Sequence, residues 1–259
     1  MEAKTKRFRF FSDLITMSKR SILMSKRNPD VILVSLIVPV LVMLLFVYVM
    51  GGAMNVGSDV SYINYVLPGI IVLCLGQGAA TTAITVSTDN SKGIISRFRT
   101  MPIAKSSVLF GYVAESVLRK SFTSLIVILL SFVIGFRPSA DFTAWLVFIG
   151  ILFLCCLMFA WIAVLFGLLA NSPEGAGAFS MLATVLPYFS SGFAPTDSMP
   201  KALRTITENQ PITPIIEAMR GLLLGTDTGN NVMLAVFWCA AILVIASIAA
   251  LRTYQNKVS

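Results

Sequence analysis

The chain has 259 residues, of which 56% are hydrophobic and 12% charged, and its formal net charge is +8. Soluble domains carry about 25% charged residues, so the composition excludes an ordinary soluble domain and predicts an integral membrane protein. The absence of histidine excludes a Ser-His-Asp triad or a histidine zinc site, and no GxxxxGK[ST] loop is present to hold ATP. We therefore expect no catalytic residues and no metal site in this chain. The cysteines all lie in apolar runs, which is typical of small core residues: Cys74, Cys155, Cys156 and Cys239.

Residues 1–30 predict a cytoplasmic amphipathic segment that lies in the inner membrane interface. Its apolar residues recur at helical spacing, and most of its cations fall elsewhere on the helix. Asn28-Pro29-Asp30 then ends this helix and directs the chain into the membrane. A solvated basic tail is the alternative interpretation.

Uncharged stretches separated by charged residues predict an all-α protein with one six-span transmembrane domain from 31 to 252. The predicted spans are 31–50, 61–88, 119–136, 142–170, 175–194 and 229–251, followed by a cytoplasmic tail, 253–259. The third span is short. We expect the side chains of Arg119, Lys120 and Arg137 at its ends to extend to the two interfaces.

The distribution of cations predicts the orientation. Eight lie in residues 1–30, six lie between Lys92 and Lys120, and two follow the last predicted span, all on one side if the spans alternate. The other four of the 20 cations fall on the opposite side: Arg137, Lys201, Arg204 and Arg220. Positive loops stay in the cytoplasm, so both termini are predicted to be cytoplasmic. The net charge is then explained by topology and anionic lipid, and we expect no nucleic-acid partner.

The second predicted span is unusually polar and small. Its polar residues are Gln77, Thr81, Thr82 and Thr85, and Gly76 and Ala80 begin a row of small residues four apart. Such rows allow close helix contact, and hydroxyl groups can bond across it. Packing within the chain, a subunit interface and a substrate path all fit this pattern.

Two segments outside the spans have their own predicted helices. In the basic loop 89–107, a helix capped by Asp89, Asn90 or Ser91 ends at Met101-Pro102 and either rests on lipid or docks a cytoplasmic partner. In 191–225, one helix follows Pro200, and a second starts at Pro211 or Pro214 and stops at Gly225. Glu217 and Arg220 are spaced to pair on the second helix. This segment is too apolar for a free loop, so we expect helices that enter the outer leaflet without crossing it.

An ion-coupled carrier needs a titratable group at mid-membrane, and the uncharged runs contain no carboxylate. Glu115 and Arg119 are the nearest candidates. Their spacing favours a structural ion pair at the membrane interface.

Three stretches, in this order and spacing, resemble the type-2 permease family of ATP-binding-cassette exporters. The first is Leu67-Pro68-Gly69-Ile70-Ile71. The second is D-N-S-K-G-I-I-S-R-F-R-T-M-P at 89–102, followed by Leu109-Phe110-Gly111. The third runs from Ser191-Gly192-Phe193-Ala194-Pro195 through Met199-Pro200 to I-E-A-M-R-G-L at 216–222. The family usually has Asn-Pro where this chain has Asn209-Gln210-Pro211.

The resemblance implies a permease domain at 31–252 in the cell membrane, two permeases that are identical or paralogous, and two separate ATPase subunits that bind ATP and Mg²⁺. It implies ATPase-coupling residues in the second stretch: Lys92, Gly93, Ile94, Arg97, Phe98, Arg99, Met101 and Pro102. It implies outer helices that shape the exit and contain Met199, Pro200, Glu217 and Arg220. The transport path is assigned to the second and fifth spans: Gln77, Thr81, Thr85, Phe179, Tyr188 and Phe189.

Within the family, the short chain and the Met199-Pro200…Arg220-Gly221 pattern are closer to daunorubicin-type drug and antibiotic exporters. The sequence thus predicts an efflux permease for a drug-like or other amphipathic substrate, one that confers antibiotic resistance. The first alternative is an exporter of polysaccharide or lipid-linked glycan. An ion-coupled secondary carrier and a non-transporting membrane sensor are alternatives of another class.

Overall fold

The computed structural model describes residues 15–16, 18–19, 21–23, 29–51, 61–94, 105–196 and 199–258, and the regular elements in these ranges are helices. We number the longer ones α1 (Pro29–Leu44), α2 (Tyr62–Ser91), α3 (Lys105–Ile134), α4 (Phe142–Leu169), α5 (Pro173–Val185), α6 (Lys201–Asn209), α7 (Ile212–Leu224) and α8 (Asn231–Val258). A π-helix, Leu45–Met50, continues α1, and a 3-10 turn, Leu186–Phe189, continues α5. The predicted all-α class is confirmed. Most of the predicted amphipathic helix before α1 lies outside the described residues.

Four helices in the described part of the chain are long and apolar enough to cross a membrane: α2, α3, α4 and α8. A crossing needs about 20 residues of helix: α1 reaches that length only with its π-helical continuation, Leu45–Met50, and α5 has 13 residues. The class of multi-span membrane protein is therefore confirmed. Six spans, cytoplasmic termini and helices that enter the outer leaflet remain predictions.

Helix α2 is the most enclosed of the four membrane-capable helices, and small residues allow this. A Cβ atom on Gly76 would lie 2.5 Å from the carbonyl oxygen of Ala183 in α5. A Cβ on Gly69 would lie within 2.9 Å of three backbone atoms of Gly192. On another side, a Cβ on Gly167 of α4 would lie 2.7 Å from the carbonyl oxygen of Ala83. At these positions the small residues serve packing within the chain.

The described helix α3 begins at Lys105, well before the predicted span at 119, so Arg119 and Lys120 lie near its middle. The expectation that these two side chains extend to the interface was wrong, because they are 8% and 0% exposed. The charges interrupt the apolar run without ending the helix. Gly78 of α2 leaves room for the alkyl chain of Lys120, and groups on α2 and α3 bind Arg119. Arg119 and Lys120 therefore no longer count among the cations of the predicted cytoplasmic side. That side still carries most of the remaining cations.

Two further boundaries differ from the sequence interpretation. Asp89, Asn90 and Ser91 do not cap a new helix but form the last turn of α2, which ends where Gly93 adopts a φ of 69°. The fifth predicted span is not one continuous helix to 194, since α5 gives way to a 3-10 turn and then to a turn at 190–193. The interruption follows from Pro187, which cannot donate a backbone hydrogen bond.

The predicted starts of α6 and α7 and the predicted end of α7 are confirmed. Helix α6 follows Pro200, and α7 begins directly after Pro211. Gly225 ends α7 in the left-handed conformation, with a φ of 65°. Proline at a helix start and glycine just past its end are the local signals that made these boundaries predictable.

We expect Gly69→Ala to destabilise the protein by about 1–3 kcal/mol. The new methyl group would clash with backbone atoms of Gly192, which cannot move aside by a change of rotamer as a side chain could. Gly150→Ala is the matched control, since a Cβ there meets nothing within 4 Å. Thermal unfolding of the two detergent-purified variants measures the difference. Equal melting temperatures would show that the contact between Gly69 and Gly192 is not tight.

Candidate functional site

The predicted path residues of α2 lie on one stripe of the helix. Gln77 and Thr81 are partly exposed and Thr85 is exposed, whereas most of the helix is buried. The Thr81 hydroxyl donates to the Gln77 carbonyl at 3.2 Å, and the Thr85 hydroxyl donates to the Thr81 carbonyl at 2.9 Å. Among the bonds that the structure describes, neither hydroxyl joins α2 to a neighbouring helix. The stripe is thus a polar surface of α2.

Helix α5 runs antiparallel to α2 and borders this stripe. A Cβ on Gly177 would lie 3.5 Å from Ile84 of α2, whereas Ala183 meets Gly76 and Gly192 meets Gly69. Tyr188 and Phe189 are 41% and 51% exposed and lie further toward the Gly69 end than Gln77 does. Tyr188 stacks on Phe193 with 5.0 Å between ring centroids. The side chain of Phe179, the remaining predicted path residue, lies outside the described residues.

Arg220 of α7 is the most heavily engaged side chain at the N-terminal end of α2. Its Nη1 pairs with Glu217 Oε1 at 2.5 Å, which confirms the predicted pair. Its Nη2 donates to the Ser191 carbonyl at 2.7 Å, and its Nε donates to the Tyr65 carbonyl at 3.1 Å. The guanidinium carbon also lies 3.7 Å from the centroid of the Tyr65 ring. One side chain therefore joins α7, the start of α2 and the turn at 190–193.

The same turn is held by further side chains that sequence reasoning missed. Tyr62 and Tyr65 donate from their hydroxyls to the carbonyls of Phe193 and Ser191, each at 2.9 Å. Thr207 of α6 donates to the Phe189 carbonyl at 2.9 Å, and Gln210 donates to the same oxygen. Two tyrosines three apart at the start of α2 were the available signal.

The remaining predicted outer residues lie beside this cluster. Met199 accepts a weak contact from the Thr207 hydroxyl at 3.6 Å, and Pro200 is exposed at the start of α6. Neither touches the Arg220 side chain through a bond that the structure describes. Of the four predicted outer residues, the structure thus brings Glu217 and Arg220 together.

The predicted ATPase-coupling stretch begins where α2 ends. Lys92 is exposed in the turn, and Ile94 packs against the core. One helical turn earlier, the carboxylate of Asp89 is buried and accepts a 2.5 Å hydrogen bond from the Tyr112 hydroxyl of α3. The other five predicted coupling residues lie outside the described residues: Arg97, Phe98, Arg99, Met101 and Pro102.

A second charged cluster lies near the middle of α3. Arg119 Nε pairs with Glu115 Oε1 at 2.9 Å, so the predicted ion pair is confirmed, although it sits at mid-helix rather than at the end. Arg119 Nη2 donates to the Thr82 hydroxyl of α2 at 2.9 Å, and Thr82 and Ser116 share a hydrogen bond of 2.8 Å. Lys120 Nζ is buried with no hydrogen-bond partner among the described residues. The cluster contains more cationic groups than carboxylates.

Comparison with known proteins gives this arrangement a family. Residues 12–224 match the model of the ABC-2 type transporter family. The chain belongs to that family. The resemblance drawn from the three sequence stretches is thereby confirmed.

Curated relatives share almost the full length of the chain. It is 27% identical over 247 residues to the daunorubicin resistance ABC transporter permease protein DrrB1 of Streptomyces coeruleorubidus, a match that covers 95% of this chain and 87% of that protein. It is 21% identical over 247 residues to the probable doxorubicin resistance ABC transporter permease protein DrrC of two Mycobacterium tuberculosis strains, covering 95% of this chain and 90% of those proteins. The chain is therefore similar to membrane permeases of ABC transporters along its whole described fold.

We expect Arg220→Lys to lower stability by about 1–3 kcal/mol, because a single ammonium group cannot reproduce three directed bonds and the contact over Tyr65. Arg204→Lys on α6 is the matched control. Its pair with Glu208 leaves both side chains nearly half exposed, and such pairs contribute about 0–1 kcal/mol. Melting temperatures of the two variants measure the contrast. A loss as large for Arg204→Lys as for Arg220→Lys would contradict it.

We expect Lys120→Met to raise stability by about 1–3 kcal/mol. The methionine keeps most of the alkyl chain over Gly78 and removes a buried amine that has no described partner. Lys201→Met, on the exposed side of α6, serves as the control and should leave the melting temperature unchanged. A destabilised Lys120→Met protein would mean that the amine is bound in the folded state.

Proposed function

We propose that this chain is the membrane subunit of an ATP-driven exporter that moves drug-like or other amphipathic molecules out of the cell. The observation that carries the proposal is the similarity, over 95% of the chain, to permeases that are named for resistance to daunorubicin and doxorubicin. The ATP and Mg²⁺ are bound by a separate ATPase subunit. Two permease copies, identical or paralogous, and two ATPases form the working complex.

The proposed orientation places both termini and the 92–104 loop in the cytoplasm, and the complex in the cell membrane. The basic residues of that loop and of the N-terminal segment support this placement, because positive segments stay on the cytoplasmic side. The coupling residues Lys92, Gly93 and Ile94 then begin the loop that docks the ATPase. The turn at 190–193 and helices α6 and α7 lie at the opposite, outer end.

The proposed path follows the polar stripe of α2. Gln77, Thr81 and Thr85 would be poorly placed against lipid tails, since polar side chains in membrane helices normally face protein or a water-filled cavity. The second permease copy or the transported molecule covers this stripe. Tyr188 and Phe189 continue the route toward the outer end and offer flat faces on which an aromatic drug can stack.

The test is ATP-dependent uptake of daunorubicin into inverted membrane vesicles that contain the chain and its ATPase. We expect Thr81→Val with Thr85→Val to lower uptake by roughly 10-fold, a loss of about 1.4 kcal/mol in path interactions. Ser247→Ala is the matched control, because its exposed hydroxyl likewise bonds within its own helix, α8, at 3.0 Å. The complex should lose uptake entirely when the ATPase is inactivated.

Different outcomes separate the competing functions. Full transport by the chain without an ATPase, abolished by collapse of the proton gradient and by Glu115→Gln, would establish an ion-coupled carrier. That possibility has a structural basis, since Glu115 lies near the middle of α3, although Arg119 already pairs with it. Uptake that does not depend on Thr81 and Thr85 would move the path away from the α2 stripe.

A further inference from the structure

Helices α2 and α3 are joined by polar contacts at two levels, which we call the α2–α3 seam and define by Asp89, Thr82, Tyr112, Ser116 and Arg119. At the first level, Tyr112 donates to Asp89 at 2.5 Å. At the second level, the Thr82 hydroxyl bonds with Ser116 at 2.8 Å and accepts from Arg119 at 2.9 Å. Each seam residue is at most 8% exposed. The seam is thus a buried polar connection between the two helices.

The position of the seam relates it to the loop between the two helices. Asp89 lies in the last turn of α2, directly before that loop, and Thr82 lies seven residues deeper. At a rise of about 1.5 Å per residue, the two levels are about 10 Å apart along α2. Two fixed points at that separation oppose both sliding and tilting of one helix against the other.

Hydrogen bonds add a constraint to that of apolar packing. Lipid tails are as apolar as the side chains, so no hydrophobic driving force holds membrane helices together, and van der Waals packing and interhelical hydrogen bonds do so instead. A hydrogen bond has a preferred distance and direction, and a shift of one helical turn, about 5.4 Å, would break every bond of the seam. Buried polar groups can specify register in this way even where they add little stability.

The polar stripe of α2 lies on the same helix as the seam. Thr81 precedes Thr82 in the chain and faces outward, whereas the Thr82 hydroxyl points to α3. A movement of α2 relative to the membrane therefore moves the seam and the stripe together. A movement of α3 reaches the stripe only if the two helices are locked.

We propose that the α2–α3 seam locks the two helices into one lever, so that displacement of the loop between them moves the polar stripe. Asp89, Thr82 and Arg119 act as positioning residues, since their side chains are buried and bond across the contact between α2 and α3. The inference rests on the proposed function, in which an ATPase moves that loop. It assigns to three buried polar side chains the transmission of that movement into the membrane.

The matched pair Thr82→Val and Thr88→Val tests the seam. Both threonines lie on α2, and both hydroxyls bond to the carbonyl four residues earlier, that of Gly78 at 3.0 Å and that of Ile84 at 2.8 Å. Among the bonds that the structure describes, only the Thr82 hydroxyl also bonds to α3. Any difference between the variants therefore reports the connection to α3 and not the loss of a threonine.

The first measurement is the number of ATP molecules hydrolysed per daunorubicin transported by the complex in vesicles. Thr82→Val should raise this ratio by roughly 5-fold or more, because the ATPase still turns over while its movement is lost between the helices. Thr82→Ser, which keeps the hydroxyl, should restore the wild-type ratio, and Thr88→Val should not change it. Equal ratios for Thr82→Val and the wild type would overturn the proposal.

The second measurement needs neither ATPase nor drug. Spin labels on cysteines introduced at Ser91 and Ser106 report the spacing of the two helix ends in the purified chain, where the four native thiols are buried. Thr82→Val should broaden the distribution of spacings and Thr88→Val should not, and an unbroadened distribution would overturn the lever. If the complex does not move daunorubicin, the proposed function fails and this measurement alone decides the seam. Tyr112→Phe, which removes the other level and keeps the ring, replaces Thr82→Val if that variant does not fold.

Discussion

The close approach of backbones along α2 is the constraint on which the rest of the structure depends. Because Gly69 and Gly76 have no side chain, the 190–193 turn lies close to Gly69 and α5 lies close to Gly76. Gly167 likewise allows α4 to lie close to α2. A helix surrounded at such short distances has few positions left that other parts of the chain do not cover. That is why the uncovered polar stripe of α2 is narrow. Van der Waals packing of small residues is the main source of helix association in membranes, so this arrangement also supplies much of the cohesion.

Among the described residues, three arginine and lysine side chains lie in the core, and their surroundings differ. Arg220 is bound by a carboxylate, two carbonyl oxygens and an aromatic face, so its charge is well compensated. Arg119 is bound by a carboxylate and a hydroxyl, although its Nη1 has no hydrogen-bond partner in the described part of the chain. Lys120 has packing for its alkyl chain and no described partner for its amine. A buried charge without compensation lowers the stability of the fold. We therefore expect Arg220 to stabilise the fold and Lys120 to destabilise it.

Much of the fold could be predicted from the sequence, because long uncharged runs and helix-ending residues are local signals. The runs identified α2, α4 and α8, and Pro200, Pro211 and Gly225 marked the ends of α6 and α7. The extent of α3 could not be predicted in the same way, since Arg119 and Lys120 have the same appearance at the end of a span as in its middle. Only the residues opposite them on α2, above all Gly78 and Thr82, distinguish the two cases, and no local pattern links those residues to α3. The bonds of Tyr62 and Tyr65 to distant carbonyls were missed for the same reason.

The turn at 190–193 has one further consequence for how the molecule meets its surroundings. The carbonyl oxygens of residues 187, 189, 191 and 193 each accept a hydrogen bond from a group of the protein itself, including Tyr62, Tyr65 and Arg220. Irregular backbone normally has to stay wet or be enclosed, since a bare carbonyl is costly in a dry environment. Within the turn itself, protein donors bind the carbonyl oxygens of Ser191 and Phe193. At these two oxygens of irregular backbone, side chains of the protein therefore take the place of water.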